Sequence, residues 1–192
     1  QADDENGANL ADVWIDNRSA LWTPEEVNSF CTALESAWNS SSVSQSLDSC
    51  EGRTVTQGAM FHTNDTGQHI INSLWHGIAD GANADRVWMP EGHSEGRTAV
   101  AADEIVIDAH VTEALELNLG DTVSIGAGNA TAEFMIVGTG YHPLHVLFAP
   151  EGELFPSEPG QYVVGYLSDA GMARLTGEVL GTSNMILLDV EG

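Results

Sequence analysis

Lysine is absent from this 192-residue chain, and its fixed cations are five arginines: Arg18, Arg53, Arg86, Arg97 and Arg174. Against 29 acidic residues they leave a formal net charge of −24. A surface of that sign repels phosphate backbones and anionic headgroups, which argues against nucleic-acid binding and electrostatic docking to anionic lipid. It suits an acidic, halophilic-like proteome, because at molar salt the Debye length shrinks to about 3 Å and the charges are screened from one another. Long apolar runs are lacking as well; none approaches the roughly 18 residues that read as a membrane-spanning helix. No charged-then-apolar leader precedes the first apolar run, and the opening QADDENGANLAD reads as a loose tether over residues 1–10. Taken alone the chain is expected to be soluble, as a free protein or as a soluble segment of a membrane protein. Catalytic signatures are missing too: there is no G-x-S-x-G elbow, no Walker loop and no C-x-x-C.

What is present is a hydrophobic share of 42%, enough for a core in one large domain or two small interleaved ones. Two cysteines occur, Cys31 and Cys50. Bridged, they would close a loop of about 19 residues and contribute on the order of 3 kcal/mol in the chain-entropy model. Unlinked, they would be two thiols, one of them in the core. Four N-x-S/T triplets, at Asn17, Asn39, Asn64 and Asn129, are candidate glycosylation acceptors. Cysteines and triplets together lean toward an extracytoplasmic location.

Along the chain, DVWID (12–16) reads as a short strand. The helix after it has the strongest local signals: Thr23 as N-cap, Pro24 at the first helical position and Glu26 completing a capping box. Val27, Phe30, Cys31, Leu34 and Trp38 recur at spacings of three and four, which predicts one buried stripe; a disulfide, if formed, would tie it to the Ser-rich loop ending at Cys50. Thr54–His62 and Gln68–Ala79 read as two strands joined by the turn residues TNDTG. Residues 80–103 are mostly connection. Ile105 and Ile107 then alternate as a strand, Asp108 caps a short helix with Val111, Ala114 and Leu115 on its apolar face, and Gly120 and Asp121 turn the chain into TVSI. TVSI pairs with Thr131–Tyr141 as a hairpin across GAGN. A loop with a short embedded apolar run follows, and QYVVGYLS, SDAGMARLTG and NMILLDV close the chain as a β-α-β unit.

Candidate chemistry is sparse. His142 and His145 make an H-x-x-H pair beside Tyr141, a weak metal candidate, since a site needs a third ligand. Pro143 between them argues for a polar loop, without the helical face that would converge the two imidazoles. His62, His69 and His76 are evenly spaced, but odd spacings alternate faces of a strand, so the regularity carries no mechanism. GAGNAT lacks the third glycine of a dinucleotide loop and precedes a strand, so it is a turn. Asp103 and Glu104 read as a solvated strand entry. No catalytic constellation emerges, and no cofactor is expected.

The order of elements carries more. GRTAVAADEIVIDAHVTEALELNLGDTVSIGAGNATAEFMIVGTGYHP resembles the extracytoplasmic, periplasmic-core-like domain of MacB/FtsX-type ABC transporter permeases. Gly96 and Arg97, Glu104 to Ile107, Leu115, Leu117, Gly120, Asp121, Val137 and Gly138 carry the resemblance, which extends over about 87–190. Asn118 stands where the family usually has basic residues. The resemblance implies an α+β fold, β-α-β-β…β-α-β, with an outer porter-like subdomain from residues 11–80 plus 158–192. A small β-rich subdomain, 81–157, would be inserted in it. It also implies a non-catalytic domain coupling ATP-driven motion of flanking transmembrane helices to cargo export or extraction, or to an extracellular protein partner. A cytoplasmic ABC ATPase subunit and a second permease copy or paralogue would be partners. The alternatives are a free extracellular ligand-binding module using aromatic loops around Trp75, Trp88 and Tyr141, and a swivelling β-barrel module of a larger enzyme. A secreted metal hydrolase using His142 and His145 is a weaker one.

Overall fold

Alternating apolar runs resolve into strands that share one sheet. The computed structural model describes residues 7–17, 20–64, 67–145, 155 and 157–191. In chain order these form β1 (Val13–Asp16), α1 (Pro24–Ser40), β2 (Leu47–Asn64), β3 (Gly67–Ile78), β4 (Glu104–Asp108) and α2 (Ala109–Ala114). Then come β5 (Thr122–Ala127), β6 (Ala130–Gly140), a 3-10 turn (Pro143–His145), β7 (Tyr162–Ser168), α3 (Asp169–Thr176) and β8 (Met185–Val190). The class is mixed α+β. Strand order is β1-β8-β2-β3-β7-β4-β6-β5, with β5 pairing again onto β2. That return, from Gly58 opposite Ala127 to Phe61 opposite Ser124, closes β2, β3, β7, β4, β6 and β5 into a barrel.

Side-chain parity explains how the barrel is filled. Ile71 and Trp75 of β3, Ile105 and Ile107 of β4, and Val163 and Leu167 of β7 join one buried cluster with Met60, Ile125, Phe134 and Ile136. The intervening residues of the same strands, Val106, Tyr162, Val164 and Tyr166, form a second cluster with Leu74, Ile78, Val87 and Ala99. Both faces of β4 are therefore covered, and all five of its residues are buried, where the sequence predicted only alternating isoleucines. Trp75 fits because it lies opposite Gly165, where a Cβ would stand 2.7 Å from its ring. Its Nε1 donates to Gly126 O at 3.0 Å. Met172 and Leu175 of α3 belong to the same cluster, so that helix packs against the barrel core.

β2 belongs to two pairings in succession. Leu47–Arg53 pairs with β8, and from Thr54 onward β2 pairs with β3. β1 adds to the other side of β8. Cys50 thus lies within a strand, not in a loop, because β8 supplies ladder partners that polar LDSCEGR would not announce. A disulfide joins it to Cys31 on α1, with Cα atoms 5.6 Å apart. α1 begins with the Thr23 capping box, yet of its predicted stripe only Val27 is buried, and Phe30 is 40% exposed. The helix packs chiefly against β2, and among the described residues no second layer covers it. The closing β-α-β unit also differs from a neighbouring pair, since β2 and β3 lie between β7 and β8. The expected division at 81–157 meets a sheet that runs through both parts: β7 pairs with β4, and β2 with β5. The apolar run at 146–149 and residues 1–6 of the tether lie outside the described residues.

Candidate functional site

The junction where β2 changes partner holds the only dense group of titratable side chains outside the surface, among the described residues. Arg53 ends the β8-paired part of β2 and is 2% exposed. Its Nη1 and Nη2 donate to Asp85 O at 2.9 Å and Ala84 O at 2.8 Å. Asp85 sits at φ +47, a left-handed conformation, and its carboxylate accepts from Ala11 N at 2.9 Å and Trp14 Nε1 at 2.7 Å. One loop residue thereby ties the arginine to the chain leading into β1. Asn184, just before β8, locks the same seam, exchanging hydrogen bonds with both backbone groups of Val55 at 2.8 and 2.7 Å.

Three histidines face this seam. His76 points to the outer side of β3, opposite Tyr166 of β7, with ring centroids 5.6 Å apart. His142 and His145 arrive from the segment after β6. The 3-10 turn puts residues three apart one above the other, which brings their rings to 5.3 Å. Pro143 therefore does not separate them as the sequence suggested; it opens the turn that gathers them. His76 Nε2 and His145 Nε2 lie 3.0 Å apart, one donating to the other.

Burial, then the neighbouring His145, His142 and Arg53, hold the His76 imidazole well below its ordinary pKa. Burial, His145 and Arg53 bring His142 to about 3, against a hydrogen bond to the Asp85 backbone. Burial also lowers His145, against the pull of Asp85. All three are neutral at pH 7. Burial likewise lowers the Arg53 guanidinium from its usual value, opposed by Glu51, Asp85 and Asp169. These groups line a cleft of about 510 Å³ whose apolar wall includes Trp14, Leu74 and Met185.

The sequence-derived candidates fall in different places. His142 and His145 enter the cleft, but among the described residues no group of three His, Cys, Asp or Glu side chains has the arrangement of metal ligands. His76 was weighed from sequence only as one of three evenly spaced histidines and set aside, and Arg53 and Asp85 were not singled out; the signal available was a rare arginine in a lysine-free chain. Trp75 is fully buried in the barrel and unavailable to a ligand. Trp88 and Tyr141 pair through a bridge, with centroids 6.1 Å apart. Asp108 caps α2 through His110 N and also meets His110 Nδ1, both at 2.9 Å. Gly120 takes φ +89, and Asp121 accepts from Asn118 N at 2.7 Å. Asn39 and Asn129 are exposed, and Asn17 is half-buried.

Four of the residues that carried the family resemblance, Gly96, Arg97, Glu104 and Gly138, meet in pairs. Arg97 reaches Glu104 with both Nη atoms, Nη1 at 2.7 Å, and Glu104 also accepts from Val100 N and Ala101 N. The Arg97 hydrogen bonds, then that from Val100, hold the Glu104 carboxyl at about 2. Gly96, at φ +80, bridges Gly138; a Cβ on Gly96 would run into the backbone of Val137 and Gly138, and one on Gly138 into the backbone of Arg97.

No family model matches the chain, and no curated protein matches it. Among solved structures the chain is similar to the extracellular domain of the noncanonic ABC-type transporter YknZ from Gram-positive bacteria. The match has 15% identity and a TM-score of 0.46, and covers 88% of this chain and 74% of that one.

Proposed function

We propose that this chain is the extracytoplasmic domain of an ABC transporter permease of the MacB/FtsX type, a non-catalytic part that moves with transmembrane helices outside this sequence. The observation that carries the reading is the interlock of Gly96, Arg97, Glu104 and Gly138. Separate words of the resemblance become one mechanical unit, in which the connection 87–103 is fastened to β4 and β6. The Cys31–Cys50 disulfide fits an oxidising compartment. Rigid strands joined covalently to moving helices are what transmission of ATP-driven motion requires. Cargo export or extraction, and contact with a second permease copy or an extracellular partner, follow from this reading.

The test is fractionation of the native, intact polypeptide. The domain should stay in the alkaline-washed membrane pellet, be cut by protease added outside the cell, and co-purify with an ATPase. Recovery from the cytosol without an ATPase would overturn the reading.

The closed barrel favours one second reading, a barrel module of a larger enzyme. Co-purification with a soluble enzyme complex would select it instead.

A further inference from the structure

The fold treats the N-x-S/T triplets differently. Two of them, those of Asn17 and Asn64, run into residues outside the described ones. The triplets from Asn39 to Ser41 and from Asn129 to Thr131 are described throughout, and both asparagines are exposed. Exposure alone does not choose between them.

The chemistry of the motif does. A transferase that reads the triplet must reach the asparagine amide and the hydroxyl two residues later from one side. At 3.6 residues per turn a helix carries residue i+2 round by about 200°, to its opposite side, whereas in a strand i and i+2 share a face. Asn39 lies in the last turn of α1, and Ser41 is its C-cap. The Ser41 hydroxyl donates to Trp38 O at 2.7 Å and accepts from Val43 N at 3.2 Å, so it is taken up in closing the helix.

Asn129 has the opposite setting. Ala127 pairs with Ala130, which leaves Gly128 and Asn129 as the two-residue turn of the β5–β6 hairpin, and Gly128 makes that turn at φ +57. Ala132 and Phe134 face the barrel core, so alternation turns Thr131 outward, where it is exposed. Among the described residues nothing hydrogen-bonds the Asn129 side chain or the Thr131 hydroxyl. Asn129 also lines a groove of about 530 Å³ together with Thr56, Glu178 and Leu21. The hydroxyl and the carboxylate can bond sugar hydroxyls, and Leu21, 37% exposed, offers an apolar contact to the C–H face of a sugar ring.

We propose that Asn129 is an N-glycosylation site of the folded domain, with the first sugars lying along this groove. In the transfer, Asn129 Nδ2 forms a bond to the anomeric carbon of a lipid-phosphate-linked oligosaccharide. The bond from that carbon to the phosphate oxygen breaks, the lipid phosphate leaves with the electron pair, and one amide proton passes to a base of the transferase. Nothing is oxidised or reduced. The proposal rests on the extracytoplasmic part of the permease reading, since the Cys31–Cys50 disulfide and a glycan belong to the same side of the membrane.

The test is peptide mapping by mass spectrometry of the intact polypeptide from its native cells, with thiols alkylated before any reduction. The peptide containing Asn129 should carry added sugar mass, and the peptide containing Asn39 should carry none. Thr131→Ala should abolish the modification and Thr131→Ser should retain it; because Thr131 is exposed, neither change disturbs the core. An unmodified Asn129, equal occupancy at Asn39, or a glycan that survives Thr131→Ala each overturns the proposal. The cysteines separate the two ways it can fail. If Asn129 is bare and Cys31 and Cys50 resist alkylation, the glycan alone is wrong; if they are alkylated, the extracytoplasmic reading falls with it.

Discussion

The barrel interior and the junction cleft are built a few residues apart on the same strands, and they solve burial in opposite ways. Inside the barrel, Trp75, Phe134 and Met60 fill the space, and the one large polar group, the Trp75 indole, has its acceptor in Gly126 O. On the other face of the same strands, His76, Tyr166 and Arg53 are equally buried, but Arg53 Nε and Tyr166 Oη have no partner. Alternation along β3 and β7 decides which residue enters which environment. A core is made for stability, whereas a pocket of unmet donors is a cost that the fold carries elsewhere.

The largest effect should come from the barrel. Trp75→Ala leaves a void beside Gly165 and is expected to cost about 3–5 kcal/mol, read as a fall in the urea midpoint with the slope unchanged. A loss under about 1 kcal/mol would mean that the barrel is not the stable half.

Next is the disulfide, which belongs to the extension. Opening Cys31–Cys50 by Cys31→Ser with Cys50→Ser should cost about 3 kcal/mol. Hydrogen exchange should quicken in α1 and 47–53 before it does in β4 and β7. Uniform loosening would abolish the distinction between the two regions.

Acid should then strike the cleft first. The folded-state pKa values of His76, His142 and His145 are depressed below 6.5. Below pH 6.5 the unfolded chain binds protons that the folded one refuses, so stability is whole above that pH and falls toward about 3, the value for His142. Far-UV CD melts across this window should show the decline, and a combined His76→Phe, His142→Phe, His145→Phe variant should flatten it.

The smallest effect sits at the Arg97–Glu104 clasp, where Arg97 is 55% exposed and solvent screens the pair. With Glu104 at about 2 instead of its ordinary 4.5, its contribution is present above pH 4.5 and lost as pH falls through 2. The stability gap between the parent and Glu104→Gln should therefore close over that interval, and a gap independent of pH would exclude the clasp as its source.

How much of this could be read in advance depends on range. The capping box at Thr23, the Asp108 cap and the β5–β6 hairpin rest on residues a few positions apart, where local hydrogen bonding settles geometry. Phe30 was misplaced because periodicity reports an apolar face but not whether another layer exists to cover it. The early start of β2 was hidden because its polar residues are held by a strand far along the chain. The cleft was the least legible. His76, Arg53, Asp85 and His142 come from four separate segments, and Pro143 looked like a reason to keep the last two histidines apart.

The sequence by itself determined the acidic, lysine-free surface, the α+β class and most element positions, since charge, caps and alternation are properties of short stretches. Only the tertiary structure decided that β5 returns to β2 to close a barrel, and that one arginine and three histidines share a buried cleft. The reason is physical. Closure and burial are set by pairings between distant strands, and a side chain's hydrogen-bond deficit exists only once those pairings have removed it from water.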